Sequence, residues 1–171
     1  MTLNIELIDK IINVTSKAAT SCYKFLGKND KVNADKAATD SMRHEINKLE
    51  INGEVVIGEG ELDEAPMLYI GEKLGAGGKI NLDIAVDPLE GTNFAAKNLP
   101  GALSVICISS KDNLFNAPET YMNKLAVGKD VPLDATDLDF SIEKNIKNIA
   151  DSKNKDPSKL NACILDRPRH K

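Results

Sequence analysis

The chain has no tryptophan, and only three tyrosines and four phenylalanines among its 171 residues. Any core it builds must therefore rest on Ile, Leu, Val and Ala. Its three cysteines, Cys22, Cys107 and Cys163, are odd in number and widely spaced, with no C-x-x-C pair. That excludes a small disulfide scaffold and points to reduced thiols in a cytoplasmic protein. No apolar run approaches the roughly 20 residues that span a bilayer. The opening Met1-Thr-Leu-Asn-Ile-Glu6 lacks the basic start and apolar stretch of a secretory signal. A basic excess is missing too. The net charge of −4 makes no electrostatic case for nucleic acid or for an anionic membrane surface. There is no internal repeat and no low-complexity segment.

What remains is ordinary for a soluble globular protein, at 42% hydrophobic and 28% charged residues. The length suits one domain, or one domain and the start of another. The charge is unevenly placed. Residues 50–95 hold ten acids against two lysines, a window of −8 in a chain whose remainder is +4. A block of like charge usually means a solvated face or tail. This block is interleaved with apolar, strand-like runs, which argues against a tail.

Periodicity gives a coarse outline. Residues 4–26 read as a helix with Ile5, Ile8, Ile11, Ile12, Ala18, Ala19, Cys22 and Phe25 on its apolar side, stopped by Gly27. A second helix is expected from about Asn33, its candidate cap, to Leu49, with Asp35 in the first turn. Asn52-Gly53 reads as a turn opening a strand over 54–57, and residues 67–74 are either a short helix or a strand. Residues 80–87 alternate as a strand, with Ile80, Leu82, Ile84 and Val86 on one face and Pro88 as its end. Residues 102–109 read as a buried strand with a hairpin partner from Leu114. Residues 139–154 read as a helix capped by Asp139. Asp156-Pro157-Ser158 looks like a boundary, and residues 160–165 like one more strand. That strand is either an edge of the main sheet or the first strand of a second domain. The second choice divides the chain into domains 1–155 and 156–171.

The acids sit where chemistry is usual in α/β proteins, past the carboxyl ends of strands. In Gly58-Glu59-Gly60-Glu61 the glycines allow sharp turning and leave Glu59 accessible; a flexible acidic surface turn would look the same. Asp87-Pro88-Leu89-Glu90-Gly91-Thr92 adds two carboxylates three residues apart, a glycine and a hydroxyl. Hard divalent cations such as Mg²⁺ and Mn²⁺ take oxygen ligands of this kind. Metal ions held by acids beside phosphate-facing amides suit phosphate ester hydrolysis.

These segments resemble the N-terminal half of class II fructose-1,6-bisphosphatases. The similarity runs through 29–35, 56–73, 83–92, 116–118, 121–125 and 167–170, and so covers essentially the whole chain. The D-P-x-x-G-[ST] element is shared with the wider lithium-sensitive phosphatase superfamily. The run from Gly58 to Met67 is more specific to class II. The resemblance implies an α/β, layered α-β-α-β-α sugar-phosphatase fold. Here it would be an N-terminal domain followed by the first strand of a truncated second one.

It also implies roles. Asp35, Glu59, Asp87 and Glu90 match metal-ligand positions. Glu90, Gly91 and Thr92 match the segment at the scissile phosphate, with Thr92 orienting or deprotonating water. Asp63 and Lys31 match polar positions near the metals and are taken with Thr92 as catalytic. Tyr121, Arg167, Pro168 and Arg169 match substrate-phosphate contacts. The implied reaction is hydrolysis of the 1-phosphate of fructose 1,6-bisphosphate to fructose 6-phosphate and phosphate, with Mn²⁺ or Mg²⁺, in gluconeogenesis. Sedoheptulose 1,7-bisphosphate is a second substrate that some relatives accept. A cytoplasmic homo-oligomer is the implied setting for the full-length protein. A Gly-Gly-Ala-Pro-Glu-Gly loop, which brings a further metal-ligating Glu in the family's second domain, has no counterpart here. The alternatives are an inactive fragment that keeps only the fold, or a related sugar or inositol phosphatase.

Overall fold

A computed structural model describes residues 5–58, 68–115, 120 and 122–165. The chain forms two compact units, one up to residue 119 and one from residue 120. In the first unit, helix α1 (Ile5–Cys22) is followed by a 3₁₀ turn, Tyr23–Phe25, and by helix α2 (Lys31–Ile46). Gly27, at φ +71°, makes the left-handed turn that ends the first helical segment. Asp30, rather than Asn33, caps α2. Its carboxylate accepts from the Asn33 N–H at 3.1 Å and from Asn33 Nδ2 at 2.7 Å. The expected cap is thus the donor to the real one, and the helix begins two residues earlier.

Four strands follow: β1 (Ile51–Ile57), β2 (Lys73–Leu74), β3 (Ile80–Glu90) and β4 (Leu103–Ser110), with the short helix α3 (Thr92–Ala96) between the last two. The sheet order is β2-β1-β3-β4. β1 and β3 are parallel, and the other two pairs are antiparallel. Helices and a mixed sheet bear out the α/β class. The side chains of Ile51, Val55, Leu82, Ile84 and Val86 join Leu7, Ile11, Val14, Ala18, Ala34, Ala38, Met42 and Ile46 of the two long helices in one core. Small residues at 18, 34 and 38, all fully buried, leave room for α1 and α2 to pack closely, and Ser21 Oγ donates to the Ala37 carbonyl at 2.8 Å across that contact.

Several strand readings change, and one left open is settled. Asn52-Gly53 lies inside β1, paired with Asn81 and Leu82, not in a turn. A Cβ at 53 would lie 2.4 Å from Ile84 Cδ1 and 3.2 Å from the Leu74 carbonyl oxygen, so a side chain there would need the Ile84 end to move aside. β4 is the last strand in the sheet order among the described residues, with Leu103 59% and Val105 44% exposed, so its apolar run does not mean burial on both faces. The segment left open at 67–74 ends as β2 after an irregular stretch from Leu68. Pro88 does not end β3, a point with consequences for the site.

The second unit contains a 3₁₀ turn at Leu133–Ala135, helix α4 (Ile142–Ser152) and another 3₁₀ turn at Pro157–Lys159. Ser141 caps α4 by accepting from the Lys144 N–H at 3.2 Å, in place of the expected Asp139. Ala150 is the buried residue of α4, whereas Ile142 and Ile146 are exposed. Residues 160–165, read as a strand from sequence, are irregular. So are Leu114 and Phe115, where a hairpin partner was expected.

Candidate functional site

The parallel pairing of β1 and β3 brings their carboxyl ends to one edge of the sheet, with Ile57 opposite Ala85. Asp87 follows two residues after Ala85. In a regular strand, residues three apart point to opposite faces, which would separate Asp87 from Glu90. The register with β4 prevents this. Asp87 pairs with Val105 and Glu90 with Leu103, so three steps on β3 match two on β4. The extra residue is a β-bulge at Pro88-Leu89, where a proline without an N–H disturbs the ladder least. The bulge returns Glu90 to the face of Asp87, where it acts on the Asp87 carboxyl.

Asp87 is half-buried. Burial first, then the neighbouring Glu90 carboxyl, and least the charge of Asp35, push its carboxyl up to about 7, opposed in part by the Leu89 N–H donating to Oδ1 at 3.2 Å. Asp35 therefore belongs to the same electrostatic group, though it comes from α2. The connection that places it is backbone. The Gly27 N–H donates to the Ala95 carbonyl at 3.1 Å and the Asn29 N–H to the Ala96 carbonyl at 2.8 Å, which fastens the start of α2 to α3. Lys31 is the first residue of α2 and is exposed. Thr92 opens α3 directly after Gly91, whose φ of +79° turns the chain out of β3. With five residues, α3 sums little dipole of its own.

Asp87 and Glu90 are thus turned to one face, within reach of the charge of Asp35, with Thr92 two residues beyond Glu90. Glu59, Asp63, Tyr121, Arg167, Pro168 and Arg169 lie outside the described residues. Among the described residues, no three His, Cys, Asp or Glu side chains are grouped closely enough to hold a metal ion by themselves. The donor chemistry nevertheless fits a hard cation. Every donor is a carboxylate oxygen, and a divalent ion would offset both the burial and the like charges that together lift Asp87.

Two of the carboxylates given no role from sequence are taken up in structural pairing. Glu72, nearly buried, accepts from Arg43 Nε at 2.6 Å and Nη2 at 3.2 Å. Asp83, fully buried on β3, accepts from the backbone N–H groups of Asn113 at 2.9 Å and Leu114 at 3.2 Å. Neither pairing has a local signal, since the partners are about thirty residues apart. The −8 window therefore mixes at least two kinds of acid: those that gather at the strand ends and those consumed by structural pairing.

Comparison with known proteins gives consistent matches. The family described as "Bacterial fructose-1,6-bisphosphatase, glpX-encoded" matches residues 5–171. The chain is 46% identical over 165 residues to fructose-1,6-bisphosphatase 1 class 2 of Escherichia coli (strain K12), covering 96% of this chain and 49% of that protein. It is 43% identical over 169 residues to D-fructose 1,6-bisphosphatase class 2/sedoheptulose 1,7-bisphosphatase of Prochlorococcus marinus (strain MIT 9312), covering 99% and 50%. It is 42% identical over 168 residues to fructose-1,6-bisphosphatase class 2 of Haemophilus influenzae, covering 98% and 50%. The chain spans about half the length of the curated relatives it matches.

Proposed function

Because the chain belongs to the glpX-encoded bacterial fructose-1,6-bisphosphatase family, we propose that it carries the metal-binding part of a site that hydrolyses the 1-phosphate of fructose 1,6-bisphosphate. The observation behind this reading is the Asp87–Glu90 pair, turned to one face by the bulge and facing the charge of Asp35. Asp87 and Glu90, with Asp35 and Glu59, would hold Mn²⁺ or Mg²⁺. Such an ion, when bound, screens phosphoryl charge and lowers the pKa of water. In the reaction the water oxygen forms a bond to phosphorus, the bond from phosphorus to the sugar C1 oxygen breaks, and a proton reaches that oxygen. Thr92, on the turn after Gly91, orients the water through its hydroxyl. Lys31 and Asp63 assist, and Tyr121, Arg167, Pro168 and Arg169 receive the substrate's phosphate. Sedoheptulose 1,7-bisphosphate is a second substrate in this reading, supported by the Prochlorococcus relative's name.

The setting we propose is a cytoplasmic homo-oligomer working in gluconeogenesis. Among the described residues, no helix is long and apolar enough to cross a membrane. A second reading has its own support. The matched stretch covers about half of its relatives' length, and by itself it would keep the fold and part of the metal site without turnover. Phosphate release from fructose 1,6-bisphosphate with added Mn²⁺ separates the two. Release above that of an Asp87→Asn variant supports the enzyme, and release equal to it leaves the inactive reading.

A further inference from the structure

Asp35 acts on the Asp87 carboxyl from a different element, and the joint between the two elements is short. After α1 the chain takes two left-handed steps, Gly27 at φ +71° and Asn29 at φ +54°. The Lys28 N–H between them turns back to the Phe25 carbonyl at 3.1 Å. The Gly27 and Asn29 N–H groups go the other way, to the carbonyls of Ala95 and Ala96. Those two residues end α3, the helix that starts at Thr92, just past Glu90 and Gly91. Asn29 is exposed, so the position asks for a backbone conformation rather than for packing. Most L residues resist positive φ because Cβ crowds the following carbonyl, and Asn is among the few that tolerate it.

Asp30 follows directly and starts the helix. One carboxylate oxygen takes the Asn33 N–H and the other takes Asn33 Nδ2. Its carbonyl accepts from the Ala34 N–H at 3.2 Å, the first rung of α2. Ala34 is fully buried, and Asp35 is the next residue. A helix without its cap frays through the first turn, and here that turn is all that separates the hook on α3 from Asp35. The run from Asn29 to Ala34 therefore sets where α2 begins relative to the chain that leaves Asp87 and Glu90.

We propose that Asn29 and Asp30 are positioning residues: Asn29 holds the left-handed step that hooks the chain onto Ala96, Asp30 starts α2 at a fixed point beyond it, and together they set Asp35 against Asp87 and Glu90. Neither side chain touches ion or substrate in this role. It rests on the metal-site reading above and adds to it the residues that hold two of its parts in register. Outer contacts that orient ligands typically change metal affinity by 10–100-fold when removed.

The test uses the 171-residue chain and Mn²⁺, with affinity read from the EPR signal of the free ion well below each variant's melting temperature. Asn29→Val and Asp30→Ala should each weaken Mn²⁺ affinity by about tenfold or more. Asn29→Gly keeps the left-handed freedom and Asp30→Asn keeps the cap, so both should retain wild-type affinity. Asp112→Val is the comparison for strain alone. Asp112 is also exposed and left-handed, at φ +64°, but it follows β4 at the end of the sheet away from Asp87. That variant should melt at a lower temperature and bind Mn²⁺ as the wild type does. Folded Asn29→Val and Asp30→Ala with wild-type affinity overturn the proposal, because they would then act on stability only. A tenfold loss in Asp112→Val overturns it too, since affinity would then follow stability wherever the strain lies. An Asp30→Asn variant as weak as Asp30→Ala would show that charge rather than the cap matters, and overturns the role given to Asp30. If Asn29→Val does not fold, Asp30→Ala against Asp30→Asn decides. Should the wild type take up no Mn²⁺, or Asp87→Asn take up as much, the metal-site reading has failed and the proposal falls with it. Those two titrations distinguish that failure from a failure of the joint alone.

Discussion

The Asp83 carboxylate on β3 receives the backbone N–H of Asn113 at 2.9 Å, from just past the end of β4. The Leu114 N–H binds the same oxygen, and Lys111 Nζ stands 3.5 Å from the other. Burial works to raise the Asp83 pKa, but these donors outweigh it and hold the carboxyl below its ordinary value. A fully buried charge is tolerated on this strand because the chain leaving β4 supplies its hydrogen bonds.

Replacing Asp83 by Ala leaves two backbone donors unsatisfied in a buried place. The expected cost is about 2–4 kcal/mol, measured as a loss in urea unfolding free energy of the first unit. Asp83→Asn keeps one acceptor oxygen and should cost less.

Glu54 couples the same region to pH. Lys111 and Lys73 both lie 2.5 Å from its Oε2 and hold its carboxyl at about 2, against an ordinary value of 4.5. The folded pKa is depressed, so between those values the unfolded chain binds more protons. The contribution is present above about pH 4.5 and is lost as pH falls toward 2. The unfolding midpoint of Glu54→Gln should therefore lie below wild type at pH 6, and the two should converge on acidification. A gap that is constant down to pH 2.5 would contradict this. The contact is exposed, so added salt should narrow the gap at pH 6.

Glycines 58 and 71 separate two causes of glycine requirement. Gly58→Ala drives a methyl into the Leu68 carbonyl, a backbone atom that cannot move aside. Gly71→Ala meets nothing within 4 Å but sits at φ +91°. The second should cost about 1–2 kcal/mol from conformation alone. The first should cost more, because the Leu68 carbonyl and the buried chain behind it must shift. Unfolding curves of the two variants test the contrast.

Asp87→Asn removes one charge from a cluster of like charges. In the presence of chelator the variant should be more stable than wild type at pH 8, visible as a higher urea midpoint. Added Mn²⁺ should raise the wild-type midpoint and leave that of the variant in place. A lower midpoint in chelator would mean that Asp87 serves the fold rather than the site.

Much of this molecule was legible in the residues themselves. The long helices follow from apolar spacing at Ile11, Ala18 and Cys22 and at Ala38, Met42 and Ile46, although Ile5, Ile8 and Ile12, read on the same face, are exposed and Val14 takes their place in the core, and β3 follows from its alternation. These signals are local, because a helix or strand turns its apolar face by a fixed period. The grouping of acids near Asp87 and Glu90 was visible too, since both lie in six consecutive residues. Their convergence was expected from that short spacing, but the means of it was not. It depends on a bulge defined against β4, and a bulge exists only relative to a partner strand. The same holds for Gly53, which reads as a turn until Ile84 is placed beside it, and for β4, whose apolar run says nothing about its place in the sheet order. Arg43 with Glu72 and Asp83 with Asn113 join residues far apart in the chain, and no period or motif couples them. The sequence by itself determined which segments become helix and strand and which acids are available for chemistry. Tertiary structure decided which acids face each other and which are spent on holding the chain, because charge pairing depends on distance in space and on burial, and both arise only when the sheet is assembled.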